Sequence, residues 1–427
     1  MSGAAVLFIT FFILLLLNVP IALCLGISSI VTMLSLDVSL TTLPMNIYAG
    51  IGKFTLLAIP FFVLAGCIME KAQISAKLIN LADKMVGHKK GGLAIVCVVT
   101  ACFFAAISGS GPATVAALGA VIIPAMISAG YGKGMSSALM SAAGSIGIVI
   151  PPSIVFVVYS SITGVSVGKM FMAGIIPGIL MGAALIVAAL LMIRKNKEVE
   201  GRKKATGKER LNALKEAFWG LLMPVIILGG IYGGFFTPTE AAAVSAAYGL
   251  FVGLVIYRTI QLRDIAAIFK EAAVSSGGIM LIVGSASLFA WLCQSEGISN
   301  MVSNVLLSLG KNQIVFLIIV NIVMLVAGFF LEATSAMYIF VPIIAPVAMA
   351  LGYDMTALGV VLTVNMAIGQ ITPPVGVNLY VACNTGGINL KEITKSVIPY
   401  VCALIVALLL ITYIPKLSIW LPGIMGM

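Results

Sequence analysis

The sequence predicts an all-α polytopic membrane protein with an inverted-topology repeat, two re-entrant helical hairpins and two discontinuous helices. Three observations support this fold class. Hydrophobic residues make up 61% of the 427 residues and charged residues only 9%, a composition that suits a lipid bilayer better than water. The basic residues collect in segments that would share one membrane face. When the sequence is aligned with itself at one constant offset, motifs of its first half fall on motifs of its second half.

Long apolar runs recur along the chain, and about 20 such residues are needed to cross roughly 30 Å of hydrocarbon as a helix. The first run lacks a preceding Lys or Arg and a small-residue cleavage site, so we expect it to remain as a helix. Two apolar stretches, 92–130 and 312–351, carry a polar break in their middle, and both are predicted to be re-entrant hairpins. Nine full crossings are predicted over 4–34, 45–70, 134–160, 168–193, 211–233, 238–257, 275–293, 357–383 and 396–415.

The distribution of basic residues predicts the orientation. With a cytoplasmic N-terminus and a periplasmic C-terminus, every Lys and Arg lies on the cytoplasmic side except Lys53, Lys169, Lys311 and Lys416, as expected for an inner-membrane protein. Segments 71–90 and 258–271 mix charged and apolar positions at helical spacing, which predicts arms along the cytoplasmic surface.

The most polar stretch of the chain, residues 194–210, is predicted to be a cytoplasmic linker between two halves, 1–193 and 211–427. Besides scaffold helices, each half would hold one hairpin and one broken helix: 92–130 with 134–160, and 312–351 with 357–383.

Composition excludes several other classes of protein. The net charge of +10 comes from short loops between apolar runs, which does not indicate nucleic-acid binding. Seven scattered cysteines without a CxxC motif, and one histidine, His88, predict neither a disulfide framework nor a transition-metal site. An intramembrane enzyme is the alternative class, but the sequence contains no HExxH or GxGD motif.

The internal repeat needs no gap. One and the same shift, which we call the repeat shift, places Pro124 on Pro346, the pair Pro151-Pro152 on Pro373-Pro374, and Pro177 on Pro399. Five predicted crossings separate the two hairpin tips, and five is an odd number. The second copy is therefore expected to be upside down relative to the first.

The segments SIGIVIPPS (145–153) and AIGQITPPVG (367–376) predict broken helices, because proline removes an amide donor and disfavours helix at the residue before it. Such a break is tolerated in a membrane beside a cavity, and its free carbonyl oxygens suit sodium. The positive ends of half-helices suit a carboxylate. The hairpin tips add hydroxyl groups at Ser108, Ser110, Thr114, Thr334 and Ser335.

Several residues have a structural alternative. Each di-proline is also compatible with a kink that neighbouring helices stabilise. Glu332 is predicted to lie deep in the membrane, where it needs a cation, a proton or a polar network. Asn365 and Gln370 are expected to line a cavity, Asn18 is interpreted as a packing residue, and Thr237-Pro238-Thr239-Glu240 predicts a helix capping box.

The motifs SGSGPATVAALG, GSIGIVIPPS, TPTEAAAV, GFFLEATSA and GQITPPVGVNLY occur in this order. Together they resemble the large membrane subunit of tripartite ATP-independent periplasmic (TRAP) transporters, over nearly the whole chain. The resemblance implies a sodium-coupled, elevator-type importer of an organic acid, with sialic acid favoured over C4-dicarboxylates by overall likeness. It also implies two partners, a periplasmic substrate-binding protein and a small membrane subunit of about four helices.

The resemblance also implies site residues. Sodium would bind at Ser108, Gly109, Ser110, Gly111, Gly144, Ser145, Gly147 and Pro151, and at Gly328, Glu332, Thr334, Gly369, Thr372 and Pro373. Substrate would bind between the tips, at Ser110, Thr114, Ser153, Thr334, Ser335, Asn365 and Gln370. The alternative function is a stand-alone organic-anion transporter or a sodium/proton antiporter of similar fold, which would work without partner proteins.

Overall fold

The computed structural model describes residues 2–194, 199, 201–298, 301 and 312–427. In these ranges the chain folds mainly into α-helices joined by turns. The first half contains α1 (Gly3–Leu16), α2 (Ile21–Ser35), α3 (Thr42–Ile51), α4 (Ala58–Lys71), α5 (Ile74–Val86), α6 (Gly92–Ser108), α7 (Gly111–Ser128), α8 (Lys133–Ser145), α9 (Ile154–Thr163) and α10 (Val167–Arg194). The second half contains α11 (Gly207–Tyr232), α12 (Pro238–Phe251), α13 (Leu262–Ser295), α14 (Gln313–Gly328), α15 (Ala333–Ala350), α16 (Met355–Gly369), α17 (Val377–Gly386), α18 (Leu390–Tyr413) and α19 (Lys416–Ile424).

Eight helical segments of the described residues are long and apolar enough to cross a membrane. Six of them coincide with predicted crossings, and α7 and α15 are arms of the predicted hairpins. The chain is therefore a multi-pass membrane protein.

The predicted single crossing over 4–34 is wrong. Asn18 adopts a left-handed conformation with φ of 60°, which ends α1, and α2 begins directly after Pro20. A Cβ on Gly3 would lie 2.7 Å from Leu36 and overlap the carboxylate of Glu296, so α1 and α2 run antiparallel. The apolar character continues through the turn, which is why the hydropathy pattern did not show it.

Two other predicted boundaries need correction. The crossing over 45–70 is interrupted at Gly52, so that a 3-10 turn (Phe54–Leu57) and α4 follow a separate α3. The predicted surface arm 258–271 and the crossing 275–293 form one continuous helix from Leu262, α13, of 34 residues. At 1.5 Å per residue α13 is about 51 Å long, so it projects beyond the hydrocarbon.

Both hairpins and both broken helices form where the sequence predicts them. The hairpins are α6–α7 and α14–α15, and the breaks separate α8 from α9 and α16 from α17. The repeat shift relates the bounds of α7 to those of α15 at both ends. The internal repeat therefore describes the helices as well as the sequence.

The two copies of the repeat have opposite orientations. The base of the first hairpin lies at the start of α18, where a Cβ on Gly134 would touch the Ser396 hydroxyl at 2.5 Å. The base of the second hairpin lies at the end of α18, where Tyr353 Oη donates to the Thr412 carbonyl at 3.1 Å. Because both tips line one cavity, the hairpins point at each other from opposite ends of α18. This arrangement is the predicted inverted repeat.

The helices pack as two groups. The first, which we call the hairpin group, comprises α6–α10 and α14–α19. The second, the scaffold group, comprises α1–α4 and α11–α13, in which α13 packs on α2, α3 and α4, and α12 on α4 and α11. The groups meet where α13 packs on α15 and α4 on α6, and α5 packs on both α6 and α11. Each half of the sequence contributes to both groups.

Part of the predicted linker 194–210 docks on α5. Arg202 forms an ion pair with Asp83 at 2.7 Å, and Glu209 forms a longer pair with Lys84 at 3.7 Å. Thr206 and Glu209 form a capping box that starts α11. Residues 195–198 and 200 lie outside the described residues.

Candidate functional site

A cavity of about 400 Å³ lies between the two hairpin tips. It is bounded by the α1–α2 turn, the two tips and the two helix breaks. Its lining comprises Leu15, Asn18, Val19, Ile21, Gly109, Ser110, Pro112, Ile148, Ile154, Val155, Ile279, Gly328, Phe329, Phe330, Leu331, Glu332, Thr334, Gln370, Val375, Gly376 and Val377. Among these residues Glu332 is the one ionisable side chain, so no described Lys or Arg is available at the cavity wall to bind an anion.

The first hairpin tip carries a local network of hydroxyl groups. The Thr114 hydroxyl donates to the Ser110 carbonyl at 2.7 Å and lies 3.0 Å from the Ser108 hydroxyl. Gly109 forms the turn with φ of 61°, a conformation that favours glycine. This network gathers hydroxyl and carbonyl oxygens beside the cavity.

The first tip touches the first helix break through the backbone. A Cβ on Gly147 would lie 2.8 Å from the Ser110 carbonyl oxygen, and a Cβ on Gly109 would lie 2.6 Å from that of Pro152. Only glycine permits these approaches. Predicted ligands of the first sodium site, Ser108 to Gly111 and Gly144 to Pro151, are thus brought together. The Ser145 hydroxyl is turned away and donates to Ala142 in its own helix.

At the second tip Glu332 is the N-cap of α15. Its carboxylate accepts hydrogen bonds from the Thr334 and Ser335 amides at 3.1 and 3.4 Å and from the Thr334 hydroxyl. The side chain is exposed to the cavity, and the Ser335 hydroxyl is buried without a partner among the described residues. The polar network that the sequence requires for Glu332 is therefore its own helix N-terminus.

The second tip and second break approach each other as closely as the first pair. A Cβ on Gly369 would lie 2.5 Å from Gly328 Cα and 2.7 Å from its carbonyl oxygen. The Val375 amide donates to the Phe329 carbonyl at 3.3 Å, and the Thr372 hydroxyl donates to Ile368. Pro373 lies in this turn. The predicted second sodium region is thus built from main chain, with Glu332 and Thr334 at its edge.

Besides Thr114 and Ser335, whose positions are described above, the predicted substrate residues divide into two sets. Ser110, Thr334 and Gln370 line the cavity. Ser153 is fully buried and caps α9 by accepting from the Phe156 amide. Asn365 is also fully buried, and its amide nitrogen donates to Asn321 Oδ1 at 2.8 Å. Ser153 thus supports the first break and Asn365 joins α16 to α14, whereas the first set faces the cavity.

Two residues, one beside the cavity lining and one within it, were missed in the sequence. Asn378 in α17 is fully buried, with Oδ1 unpartnered among the described residues and Nδ2 bonded to the Ser141 carbonyl at 3.3 Å. Asn18, interpreted as a packing residue, lines the cavity at the tip of the α1–α2 hairpin. The motif GVNLY contains Asn378, but the sequence does not tell which helix it meets.

Taken together, a multi-pass helical fold, an inverted repeat and a cavity between two facing hairpin tips define a membrane transport protein. Residues 8–417 match the family described as "Tripartite ATP-independent periplasmic transporter, DctM component". The chain belongs to this family, the large permeases of TRAP transporters. It is a permease and not an enzyme.

Three relatives illustrate the range of the family. The chain is 42% identical to the C4-dicarboxylate TRAP transporter large permease protein DctM of Vibrio cholerae, over 99% of this chain and 98% of the relative. It is 40% identical to the isethionate TRAP transporter permease protein DctMQ of Oleidesulfovibrio alaskensis, over 98% of this chain and 66% of the relative. It is 38% identical to the sialic acid TRAP transporter large permease protein SiaM of Vibrio cholerae, over 87% of each chain.

Among solved structures, the Alcanivorax borkumensis YdaH transporter superposes with a TM-score of 0.65 over 98% of both chains. The sequence identity is 14%, so this likeness shows the fold alone.

Proposed function

We propose that this permease imports an organic anion, delivered by a periplasmic binding protein, in a sodium-coupled elevator movement. The observation that carries the proposal is the pair of facing hairpin tips, each in backbone contact with its own helix break around one cavity. In a membrane, non-helical backbone of this kind is tolerated where it lines a cavity or binds an ion.

Sodium is the proposed coupling ion because its ligands in such transporters are carbonyl and hydroxyl oxygens. The first site would use carbonyls around Ser110 and Pro152 with the hydroxyls of Ser108 and Thr114. The second would use carbonyls around Gly328 and Thr372. The close glycine contacts support both assignments, since they bring main-chain oxygens of tip and break together.

The elevator movement is supported by the division into two groups of helices. The cavity lies at their boundary, because the hairpin group supplies most of its wall while the α1–α2 turn and Ile279 of α13 belong to the scaffold group. Sliding of the hairpin group against the scaffold group would carry the cavity across the membrane.

Two partners are proposed on the basis of the family, a periplasmic substrate-binding protein and a small membrane subunit. The isethionate relative is named DctMQ, and this chain spans 66% of its length. The remaining third has room for a fused second component, so we propose that this chain works with a small membrane subunit. The substrate is an organic anion of the kinds named for the relatives, and the 38% identity to the sialic acid permease does not single out sialic acid above the others.

We infer an orientation that differs from the sequence-based expectation at one end. The bias of basic residues still puts Lys71 to Lys90 and the start of α13 in the cytoplasm. Gly3 lies beside Glu296, just after the opposite end of α13. The N-terminus would then be periplasmic, not cytoplasmic, and the end of α18 would be periplasmic as expected.

The experiment that tests this function is uptake into proteoliposomes that contain the permease, the small subunit and the binding protein. Labelled succinate, isethionate and N-acetylneuraminate are supplied with and without an inward sodium gradient. Uptake of one of them that needs both sodium and the binding protein is expected. Uptake by the permease alone, or without sodium, would favour the stand-alone transporter or antiporter instead.

A further inference from the structure

A second cavity, of about 450 Å³, is separate from the one between the hairpin tips and shares no lining residue with it. Val98, Cys102 and Ala106 of α6 form one side, and Ile179 and Gly182 of α10 form another. Its wall is almost entirely carbon. We call this cavity the apolar pocket. An apolar cavity of roughly 150 Å³ stays dry and binds one benzene ring, so the apolar pocket has room for a hydrocarbon chain. It offers an organic anion no hydrogen bonds.

The apolar pocket lies where the two groups of helices meet, and it is open to lipid. Helices α6 and α10 belong to the hairpin group, whereas Pro224 and Leu228 of its wall belong to α11 of the scaffold group. Both α10 and α11 are long and apolar enough to cross a membrane. Phe103 and Ile179, which also line the pocket, are 45% and 60% exposed. Within a bilayer this exposed surface contacts hydrocarbon, so an acyl chain can enter the pocket from the side.

Two glycines of α10 shape the apolar pocket. A Cβ on Gly178 would overlap the side chain of Ile150, so α10 closes on the first helix break at the inner end of the pocket. A Cβ on Gly182, one turn later, would lie 3.2 Å from Cys102 Sγ. A larger side chain at this position would occupy the space between α6 and α10. The pocket is therefore a slot that ends at the first break.

The depth of the apolar pocket matches one leaflet of a bilayer. Helix α6 begins at Gly92, and Val98 and Ala106 follow six and fourteen residues later. At 1.5 Å per residue the pocket thus extends from about 9 to about 21 Å beyond the start of α6. Half of a bilayer, headgroups included, is about 20–22 Å thick. A phospholipid with an acyl chain in the pocket would have its headgroup beside the start of α6.

Three segments of the chain meet at the start of α6. A Cβ on Gly91, just before α6, would lie 2.6 Å from Leu190 Cδ2 near the end of α10. A Cβ on Gly201 of the linker would overlap the carbonyl oxygen of His88, in the turn after α5. The turn, the end of α10 and the linker therefore lie together at this end of the pocket.

The same three segments carry a cluster of basic side chains, which we call the basic edge: Lys89, Lys90, Arg194, Lys203 and Lys204. All five are exposed, and none forms an ion pair with another described residue. Clusters of Lys and Arg at a membrane surface attract the headgroups of anionic phospholipids. A lipid phosphate beside the start of α6 would meet several of these cations at once.

We propose that the apolar pocket and the basic edge form a binding site for one anionic phospholipid. An acyl chain fills the pocket, and the phosphate lies at the basic edge. Because the wall combines α6 and α10 with α11, the acyl chain contacts both groups of helices at their boundary. A neutral phospholipid supplies the same acyl chain, so the basic edge is what selects the anionic headgroup. The site is independent of the substrate and of sodium.

The test measures lipid binding to the purified full chain in detergent. Phosphatidylglycerol or phosphatidylcholine with identical acyl chains is titrated, and lipid-bound and lipid-free protein are quantified by native mass spectrometry. One phosphatidylglycerol is expected to bind about tenfold more tightly than phosphatidylcholine. The double substitution Lys89→Gln with Lys90→Gln should abolish this preference, since each basic residue at the surface contributes several-fold to the affinity. Arg263→Gln with Lys270→Gln, at the start of α13, removes the same charge away from the basic edge and should leave the preference intact.

A second substitution tests the acyl-chain part of the site. Ala183 lines the apolar pocket and is exposed, so Ala183→Phe is expected to fill the pocket and to weaken both lipids about tenfold. Ala273→Phe is the matched control, because Ala273 is an exposed alanine of α13 outside the pocket. The lysine pair lies on the surface, and it decides the matter if Ala183→Phe does not fold.

Equal binding of the two lipids by the unmodified chain would overturn the proposal, as would an undiminished preference in the lysine variant. Equal lipid binding by Ala183→Phe and Ala273→Phe would also overturn it. If Ala183→Phe instead releases the small membrane subunit from the purified complex and leaves lipid binding unchanged, the pocket belongs to that subunit and not to a lipid. None of these outcomes depends on uptake, so failure of the transport proposal would leave the lipid site standing.

Discussion

At the scale of single residues, two glycines of the site lie in direct contact. Gly328 in the second hairpin and Gly369 before the second break leave no room for a side chain between them. Both are buried. The second proposed sodium region therefore depends on glycine at both positions, since a Cβ on either residue would press against the other.

Gly369→Ala is expected to separate the second tip from its break, since the new Cβ would lie 2.7 Å from the Gly328 carbonyl oxygen. Overpacking of this kind lowers the free energy of unfolding by about 1–3 kcal/mol. Sodium-stimulated uptake should fall more than about tenfold, because the carbonyl groups of the proposed site are misplaced. The measurements are thermal unfolding and uptake at several sodium concentrations. Gly277→Ala is the control, because nothing lies within 4 Å of its Cβ. Normal sodium dependence in Gly369→Ala would exclude this contact from ion binding.

Glu332→Gln is expected to reduce uptake far more than stability. The amide can still accept hydrogen bonds at the N-terminus of α15, so the loss of stability should be about 1 kcal/mol. The carboxylate charge at this helix end, however, disappears from the cavity. Uptake and melting temperature are compared with those of Glu240→Gln, which alters the capping box on Thr237 away from the cavity. Equal effects of the two substitutions on uptake would reduce Glu332 to a structural cap.

At the scale of elements, the sequence predicts helix ends well where residues at the end itself, such as a proline or a capping pair, determine it. Prolines 151 and 373 break their helices as expected, and Thr237 and Glu240 form the predicted capping box. The repeat shift carries the hairpins and breaks from one half to the other. The repeat thus predicted both hairpins and both breaks, because each is encoded within a few residues.

The sequence fails where an element is defined by what it packs against. The turn at Asn18 interrupts an apolar run without changing its hydropathy, so α1 and α2 were predicted as one crossing. Asn378 stands inside a recognised motif, but its role depends on Gly111, which lies in the other half of the chain. Neither burial nor a partner so distant in the chain can be seen in local periodicity.

The α1–α2 hairpin leads to a prediction about the N-terminus. Ser2→Cys is expected to react with a membrane-impermeant maleimide on cells with a permeable outer membrane and an intact inner membrane. The reason is that Gly3 lies next to Glu296, at the proposed periplasmic end of α13. Lys90→Cys, in the exposed turn after α5, should react only after the inner membrane is opened. The unmodified chain gives the background of its seven native cysteines. Protection of Ser2→Cys on intact inner membranes would restore a cytoplasmic N-terminus.

At the scale of the whole molecule, the inverted repeat explains why each sequence half enters both groups of helices. The hairpin and broken helix of each half join the hairpin group, and further helices of each half complete the scaffold group. In the proposed elevator movement, two oppositely oriented copies would offer one cavity to both membrane faces in turn. Glu332 caps α15, whereas Ser110, its counterpart under the repeat shift, forms no side-chain cap on α7. The symmetry therefore holds for the helices but not for the charge at the two tips.

If the two groups slide, a cross-link between them must stop uptake. A Cβ on Gly168 of α10 lies 3.4 Å from Ile231 Cγ2 of α11, so Gly168→Cys with Ile231→Cys is positioned for a disulfide between the groups. Oxidation is expected to abolish uptake and reduction to restore it. Gly182→Cys is the matched control, since its Cβ lies 3.2 Å from Cys102 Sγ within the hairpin group, and its disulfide should leave uptake intact. Transport by the oxidised Gly168–Ile231 pair would rule out sliding at this boundary, because a covalent bond of about 2 Å permits no elevator movement there.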